Sequence, residues 1–235
     1  MDEPAEPAVG GSLTKARLKF FAGLAILLLP LLIWLYISQL GEVRCKPLML
    51  LKTVDANNDS IPHVIPDFSL TNQNGQVFTQ DSLKGYYHVA NFIFTTCPGI
   101  CIPMTQQFKN LQAEIKDSPE VRLVSFTVDP ETDTPEVLKK YAKKYGAIPG
   151  KWTFLTGKDS LLTSIIKDGY KQAVMKTPDG QEKVTHSPFF VLIDKDLHVR
   201  GFYNALDPHK GEKEFKRILE EINVLGCEYN SRKKE

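Results

Sequence analysis

"HVANFIFTTCPGICIPM", residues 88–104, decides the fold. The stretch from His88 to Thr96 is an apolar run rich in β-formers, short enough for a strand buried on both faces. Beyond Cys97 and Cys101, which are separated by three residues, Met104, Phe108, Leu111 and Ile115 recur at helical spacing. The cysteines therefore straddle a strand-to-helix junction. Residues four apart on a helix have Cβ atoms about 5–6 Å apart. Two sulfurs so placed chelate one ion, or close a disulfide, for which Cα separations up to about 6.8 Å are compatible. Positive potential at a helix start favours the thiolate, the form that binds metal or attacks a disulfide. Four readings of the pair stand open: a structural disulfide, a redox pair, a metal site, or two small core residues.

The surrounding elements follow from periodicity and turn chemistry. "PDFSLTNQNGQVFTQDSL", residues 66–83, alternates around Asn74-Gly75 and reads as a hairpin. "VRLVSFTV", 121–128, is a second buried strand. "TPEVLKKYAKKYG", 134–146, is a capped helix, with Thr134 as N-cap, Pro135 in the first turn and Gly146 as stop. "KDSLLTSIIKDGY", 158–170, reads as a further helix. "PFFVLIDKDLHVRGFY", 188–203, reads as two strands joined at Asp194–Asp196, and "GEKEFKRILEEINVL", 211–225, as a closing amphipathic helix. A β-α-β part, then a hairpin and a helix, with cysteines at the first strand-to-helix junction, predicts a thioredoxin-like α/β domain.

Phe20 to Leu40, "FFAGLAILLLPLLIWLYISQL", carries no charge and has the length of about 20 residues that a bilayer-spanning helix needs. It exceeds the 7–15-residue core of a secretory signal, and no Ala-x-Ala site follows. It reads as an uncleaved N-terminal transmembrane anchor, with Pro30 tolerated inside it. Lys15, Arg17 and Lys19 before it, against Arg44 and Lys46 after it, favour a cytoplasmic N-terminus. Asp2, Glu3 and Glu6 disfavour a mitochondrial transit peptide, and Glu42 and Arg44 before Cys45 leave no lipobox. The expected location is a bacterial inner membrane, single-pass, with the C-terminal domain in the periplasm. Four cysteines are admissible as disulfides in that compartment.

The expected organisation is a Pro/Gly/acid-rich, disordered cytoplasmic segment over 1–19, the anchor over 20–40 and a juxtamembrane linker over 41–61. The domain then covers 62–228 and a tail 229–235. A net charge of +1 over 235 residues offers no footprint for nucleic acid.

Four separated motifs, "FIFTTCPGICIPM", "TVDPETDTPEVLKKYAKKYG", "KWTFLTG" and "VTHSPFFVLID", occur in one order between residues 62 and 225 and resemble the Sco/SenC family. The resemblance implies a thioredoxin-like domain tethered by an N-terminal helix. It implies copper delivery to the binuclear copper site of cytochrome c oxidase subunit II, with that subunit or its assembly factors as partner. It makes Cys97 and Cys101 the motif cysteines and His186 the histidine ligand. Thr185 stands where the family commonly carries an acidic residue. Two thiolates and an imidazole suit copper(I), and an added water or anion makes a copper(II) site; zinc accepts the same donors. Two functions share these residues: a copper metallochaperone, which is the preferred reading, and a thiol–disulfide oxidoreductase in which Cys97 and Cys101 cycle. Peroxiredoxin-like peroxidases place a threonine three residues before the reactive cysteine; here that position is Phe94.

Further expectations concern the remaining landmarks. Cys45 and Cys227 are expected to form a disulfide. Thioredoxin-like folds commonly place a cis-proline before the strand facing the cysteines, which makes Ser187–Pro188 the expected cis bond. His88 and His198 read as strand or hairpin residues, His209 as a helix-start residue, and His63 carries no role. Met104 belongs to the core stripe, and Lys139–Lys144 to a solvated helix face.

Overall fold

The computed structural model describes residues 19–35 except 22, 25 and 27, and then residues 47–55, 57–176, 182–184, 187–204 and 206–232. The chain divides into two compact units, residues 1–45 and 46–235. In the first, the described residues between 19 and 35 are helical. Among the described residues no helix is long and apolar enough to cross a membrane.

The second unit is built on a seven-stranded mixed sheet. Its strands are β3 (Ser69–Asn72), β4 (Val77–Thr79), β5 (Tyr87–Ile93), β6 (Val121–Thr127), β7 (Trp152–Thr156), β10 (Phe190–Ile193) and β11 (Val199–Tyr203), in the order β11-β10-β5-β6-β7-β3-β4. β5, β6 and β7 are parallel, and the outer pairings are antiparallel. Helices α1 (Cys101–Glu114) and α2 (Pro135–Tyr145) make the two crossovers. α3 (Asp159–Ser164) follows β7, and α4 (Gly211–Arg232) closes the chain. Two small hairpins complete the unit, β1 (Lys52–Val54) with β2 (Ser60–Pro62), and β8 (Val174–Lys176) with β9 (Glu182–Val184).

β5 is buried along its whole length because the sheet is covered on both faces. Val89 and Ile93 face a cluster with Phe108 and Leu111 of α1, Leu138 of α2 and Ile218 of α4. Ala90 and Phe92 face the opposite cluster, with Leu162 of α3, Ile166 and Tyr170. Each face therefore takes alternate residues, and the sequence reads as one apolar run. The hairpin turn at Asn74-Gly75 is present, with Gly75 at φ 76°, a region costly for residues bearing a Cβ. Thr134 accepts from the Val137 N–H at 3.4 Å, and Gly146 ends α2 in the left-handed region at φ 70°.

Several boundaries differ from the sequence reading. The stretch 158–170 is α3 followed by a π turn over Ile165–Gly169, because Tyr170 is drawn into the core against Phe92 and Phe126. α4 runs on to Arg232, and within 41–61 the strands β1 and β2 begin an ordered hairpin that Leu51 N–H ties to Val199 C=O. Lys151 carries a contact that periodicity does not show. Its Nζ donates to the carbonyls of Ile115, Ser118 and Val121 at 3.0, 2.5 and 3.0 Å, joining the turn after α1 to the start of β6.

Candidate metal and thiol site

Open α/β sheets bind ligands beyond the carboxyl ends of their parallel strands, and the two motif cysteines lie there. β5 ends at Ile93, the Cys97 N–H donates to Phe94 C=O at 3.2 Å, and α1 begins at Cys101. Cys97 thus precedes the helix and does not share a helical face with Cys101; the loop turns its sulfur back instead. Both cysteines are buried free thiols. The Thr105 hydroxyl donates to Cys101 C=O at 2.7 Å and meets the Tyr141 hydroxyl at 2.9 Å, which locks the first turn of α1 against α2.

The two thiols are electrostatically unequal. Burial pushes Cys97 up, but hydrogen bonds from the Cys101 thiol and from the Cys101 and Gly99 backbone outweigh it and hold Cys97 below the ordinary thiol value. Burial pushes Cys101 up to about 12, helped by its bond to Cys97 and by the charges of Cys97 and Asp133. The helix start was expected to favour both thiolates; the structure favours Cys97 alone, because one shared proton stays on the more deeply buried sulfur.

Asp133 is the residue that sequence reasoning missed. It is fully buried. Its carboxylate accepts from the Thr95 N–H at 3.1 Å and, in a short contact, from the Thr95 hydroxyl. It also accepts from the Thr127 hydroxyl at 2.5 Å. It thereby ties the cysteine loop to the end of β6. Its signal was an acid just before an N-cap threonine in "DPETDTP", where the cap absorbed the reading.

β10 pairs antiparallel with β5, Val191 opposite Ala90, so the segment leading into β10 arrives at the cysteine end of β5. His186 immediately precedes that segment in sequence and, with Thr185, lies outside the described residues. The Ser187–Pro188 bond is trans, since the described residues contain no cis peptide bond. This corrects the expected cis-proline. The Phe189 N–H donates to Ser187 Oγ at 3.3 Å, so a side-chain turn bends the chain here with Pro188 in the ordinary isomer. Cys227 is disulfide-bonded; Cys45 lies outside the described residues.

The remaining histidines make structural contacts. Burial holds His88 down to about 3, and its Nε2 meets the Tyr170 hydroxyl at 3.2 Å. His63 Nε2 meets Gly169 C=O at 2.7 Å. Asp194, Asp196 and His198 come together at the β10–β11 turn, but the first two are already engaged. Asp194 pairs with Arg200 at 2.9 Å, and Asp196 accepts from the Tyr229 hydroxyl.

The comparison with protein families decides the lineage: the model described as SCO1/SenC matches residues 56–222. The chain belongs to the SCO1/SenC family. A SCO1 protein homolog of Bacillus subtilis strain 168 is 38% identical over 151 residues, covering 63% of this chain and 78% of the relative. The structure of BsSco is described as that of a member of the Sco family of cytochrome c oxidase assembly proteins, with a disulfide switch. It matches at TM-score 0.58 and 35% identity, covering 69% of this chain and 93% of that one. The structure of Arabidopsis thaliana ScoI with copper bound matches at TM-score 0.56 and 28% identity, covering 68% and 98%. The domain is a thioredoxin-like Sco fold.

Proposed function

We propose that this SCO1/SenC protein is a copper metallochaperone for assembly of the binuclear copper site of cytochrome c oxidase, with subunit II or its assembly factors as partner. Copper is its cargo, taken by Cys97, Cys101 and His186. The observation that carries the reading is the pair of free, buried thiols within hydrogen-bond reach of each other at the carboxyl end of β5. Soft thiolates select copper(I), and one imidazole extends the set to copper(II). The segment that enters β10 behind His186 reaches the same sheet end. ScoI of Arabidopsis thaliana, of the same family, has been solved with copper bound. The uncharged run Phe20–Leu40 supports a single-pass anchor in a bacterial inner membrane, with the domain in the periplasm.

A second reading has its own observation. The lowered Cys97 and raised Cys101 suit thiol–disulfide exchange, in which a thiolate attacks and a thiol resolves, and BsSco carries a disulfide switch. His186 separates the two, because copper(II) needs it and exchange does not. Anaerobic copper titration with thiol counts on the same sample is expected to give one copper(I) per domain. His186→Ala is expected to lose copper(II) binding and oxidase assembly in cells while still forming the Cys97–Cys101 disulfide. Wild-type oxidase assembly in that variant would replace the chaperone with the reductase.

A further inference from the structure

α2 has two opposite faces. Leu138, Tyr141, Ala142 and Tyr145 are buried against the core, while Lys139, Lys140, Lys143 and Lys144 are exposed. At 3.6 residues per turn the four lysines share an arc of about 140°, centred opposite the buried residues. Among the described residues none of the four makes an ion pair. The one acid of the helix, Glu136, instead accepts from the Thr134 hydroxyl at 2.9 Å. α2 thus sets four lysines against one glutamate in a chain whose net charge is +1. Helix stability does not call for this arrangement. Lys139 and Lys143, and Lys140 and Lys144, are like charges four residues apart, which destabilise a helix. The helix dipole favours Lys143 and Lys144 in the last turn, but gives nothing to Lys139 and Lys140.

The lysine face is joined to the cysteine site by fixed contacts. Asp133, two residues before α2, accepts from the Thr95 N–H in the cysteine loop. The Tyr141 hydroxyl meets Thr105, whose own hydroxyl bonds Cys101 C=O. The lysines therefore stand about one helix diameter, roughly 10–12 Å, behind the wall of that site. This is comparable with the Debye length of about 8–10 Å in 0.1–0.15 M salt, so their field reaches a partner approaching the thiols.

We propose that the lysine face of α2 docks an acidic surface of the protein that exchanges copper with Cys97 and Cys101, drawing that partner in and orienting it toward the thiols. The inference rests on the copper reading above. Charges at the rim of an interface act mainly on the rate of encounter and on its salt dependence. A protein surface fits the face better than an anionic bilayer. Interfacial membrane helices sink Trp, Phe or Leu into the headgroup layer, whereas the apolar side chains of α2 are already buried in the core. The chain also enters the domain at the far edge of the sheet. Leu51 bonds Val199 of β11, and β10 and β5 separate that strand from β6, where the α2 crossover starts.

The test measures stopped-flow association of the full-length protein, in detergent, with the soluble copper domain of cytochrome c oxidase subunit II. Salt is raised to about 1 M, where the Debye length falls to about 3 Å. Wild type is compared with a variant carrying Lys139→Gln, Lys140→Gln, Lys143→Gln and Lys144→Gln. A control carrying Lys52→Gln, Lys84→Gln, Lys158→Gln and Lys213→Gln removes the same charge from exposed lysines elsewhere. Copper(I) stoichiometry and the thermal unfolding midpoint are read on the same samples. One-signed surfaces raise association rates by 10–1,000-fold, so the α2 variant is expected to associate about tenfold more slowly at low salt. It should match wild type at high salt and keep its copper(I) stoichiometry and midpoint, and the control should stay near wild type. Amine acetylation is also mapped on wild type reconstituted in phosphatidylcholine bilayers with and without phosphatidylglycerol. The four lysines of α2 should be protected by the copper domain and by neither bilayer alone. Equal slowing of both variants overturns the docking face, since net charge alone would then explain it. An unchanged rate in the α2 variant, while wild type passes copper(I) to the domain, overturns it and leaves the copper reading standing. Protection by the phosphatidylglycerol bilayer alone assigns the face to lipid and overturns it likewise. Failure of wild type to pass copper(I) at any salt overturns the copper reading and the docking face with it.

Discussion

Asp133 holds Thr95 at both its backbone N–H and its hydroxyl, across 38 residues of sequence. Thr95 stands two residues before Cys97, and Asp133 two residues before the start of α2. The crossover after β6 therefore steadies the loop that follows β5, and the shape of the cysteine loop depends on both crossovers being in place.

Removing that acceptor should be costly. Asp133→Ala leaves the Thr95 N–H and the Thr95 and Thr127 hydroxyls without their partner. A buried donor left unsatisfied costs about 1–3 kcal/mol, and solvent reaches some of this set, so the expected total is about 3 kcal/mol in urea unfolding. Asp133→Asn, which retains an accepting oxygen, should lose less. An Asp133→Ala protein as stable as wild type would make the contact incidental.

The reduced thiols should titrate in two well-separated steps that belong to the pair. The first lies below the ordinary thiol value, because hydrogen bonds from Cys101 and the Gly99 backbone favour the Cys97 thiolate; the second lies near the value of about 12 to which Cys101 is raised. Thiolate ultraviolet absorbance reads both. The lowered Cys97 makes the folded state release a proton that the unfolded chain keeps, so stability rises with pH up to the ordinary thiol value. The raised Cys101 makes the folded state keep a proton that the unfolded chain loses, so stability falls from there towards about 12. Two overlapping steps near the ordinary value would remove the asymmetry.

His88 gives an acid-side signature. Burial lowers it from 6.5 to about 3, so the unfolded chain binds a proton that the native state refuses between those values. Its stabilising effect is complete above 6.5 and is lost as pH falls towards 3. One such group contributes a slope of about 1.4 kcal/mol per pH unit. His88→Phe should flatten the dependence of stability on pH in that window by about one proton. An unchanged slope would assign the acid sensitivity elsewhere.

Cys227 is disulfide-bonded near the end of α4, while Cys97 and Cys101 are free. Peptide mapping without reductant is expected to return Cys227 linked to Cys45. Cys45→Ser should then lower stability by about 2–4 kcal/mol, the usual range for a disulfide closing a long loop. Recovery of Cys45 as a free thiol would refute the pairing.

The local elements were legible in the sequence because each depends on neighbours within a few residues. The hairpin at Asn74-Gly75, the Thr134 and Gly146 caps, and the stripe Met104–Phe108–Leu111 follow from turn chemistry and from the 3.6 and 2 periods. The motif spacing placed Cys97 and Cys101 at the strand-to-helix junction for the same reason. The strand order, the Asp133–Thr95 tie, the Lys151 contacts and the Gln172–Ser187 hydrogen bond were decided by the tertiary structure alone. These contacts join residues brought together by sheet pairing, and polar residues of their types are scattered through any surface segment, so no periodicity marks them. The inequality of the two thiols belongs with these. Identical side chains at Cys97 and Cys101 acquire different proton affinities only when one is set deeper and beside Asp133, because burial and neighbouring charge act through space.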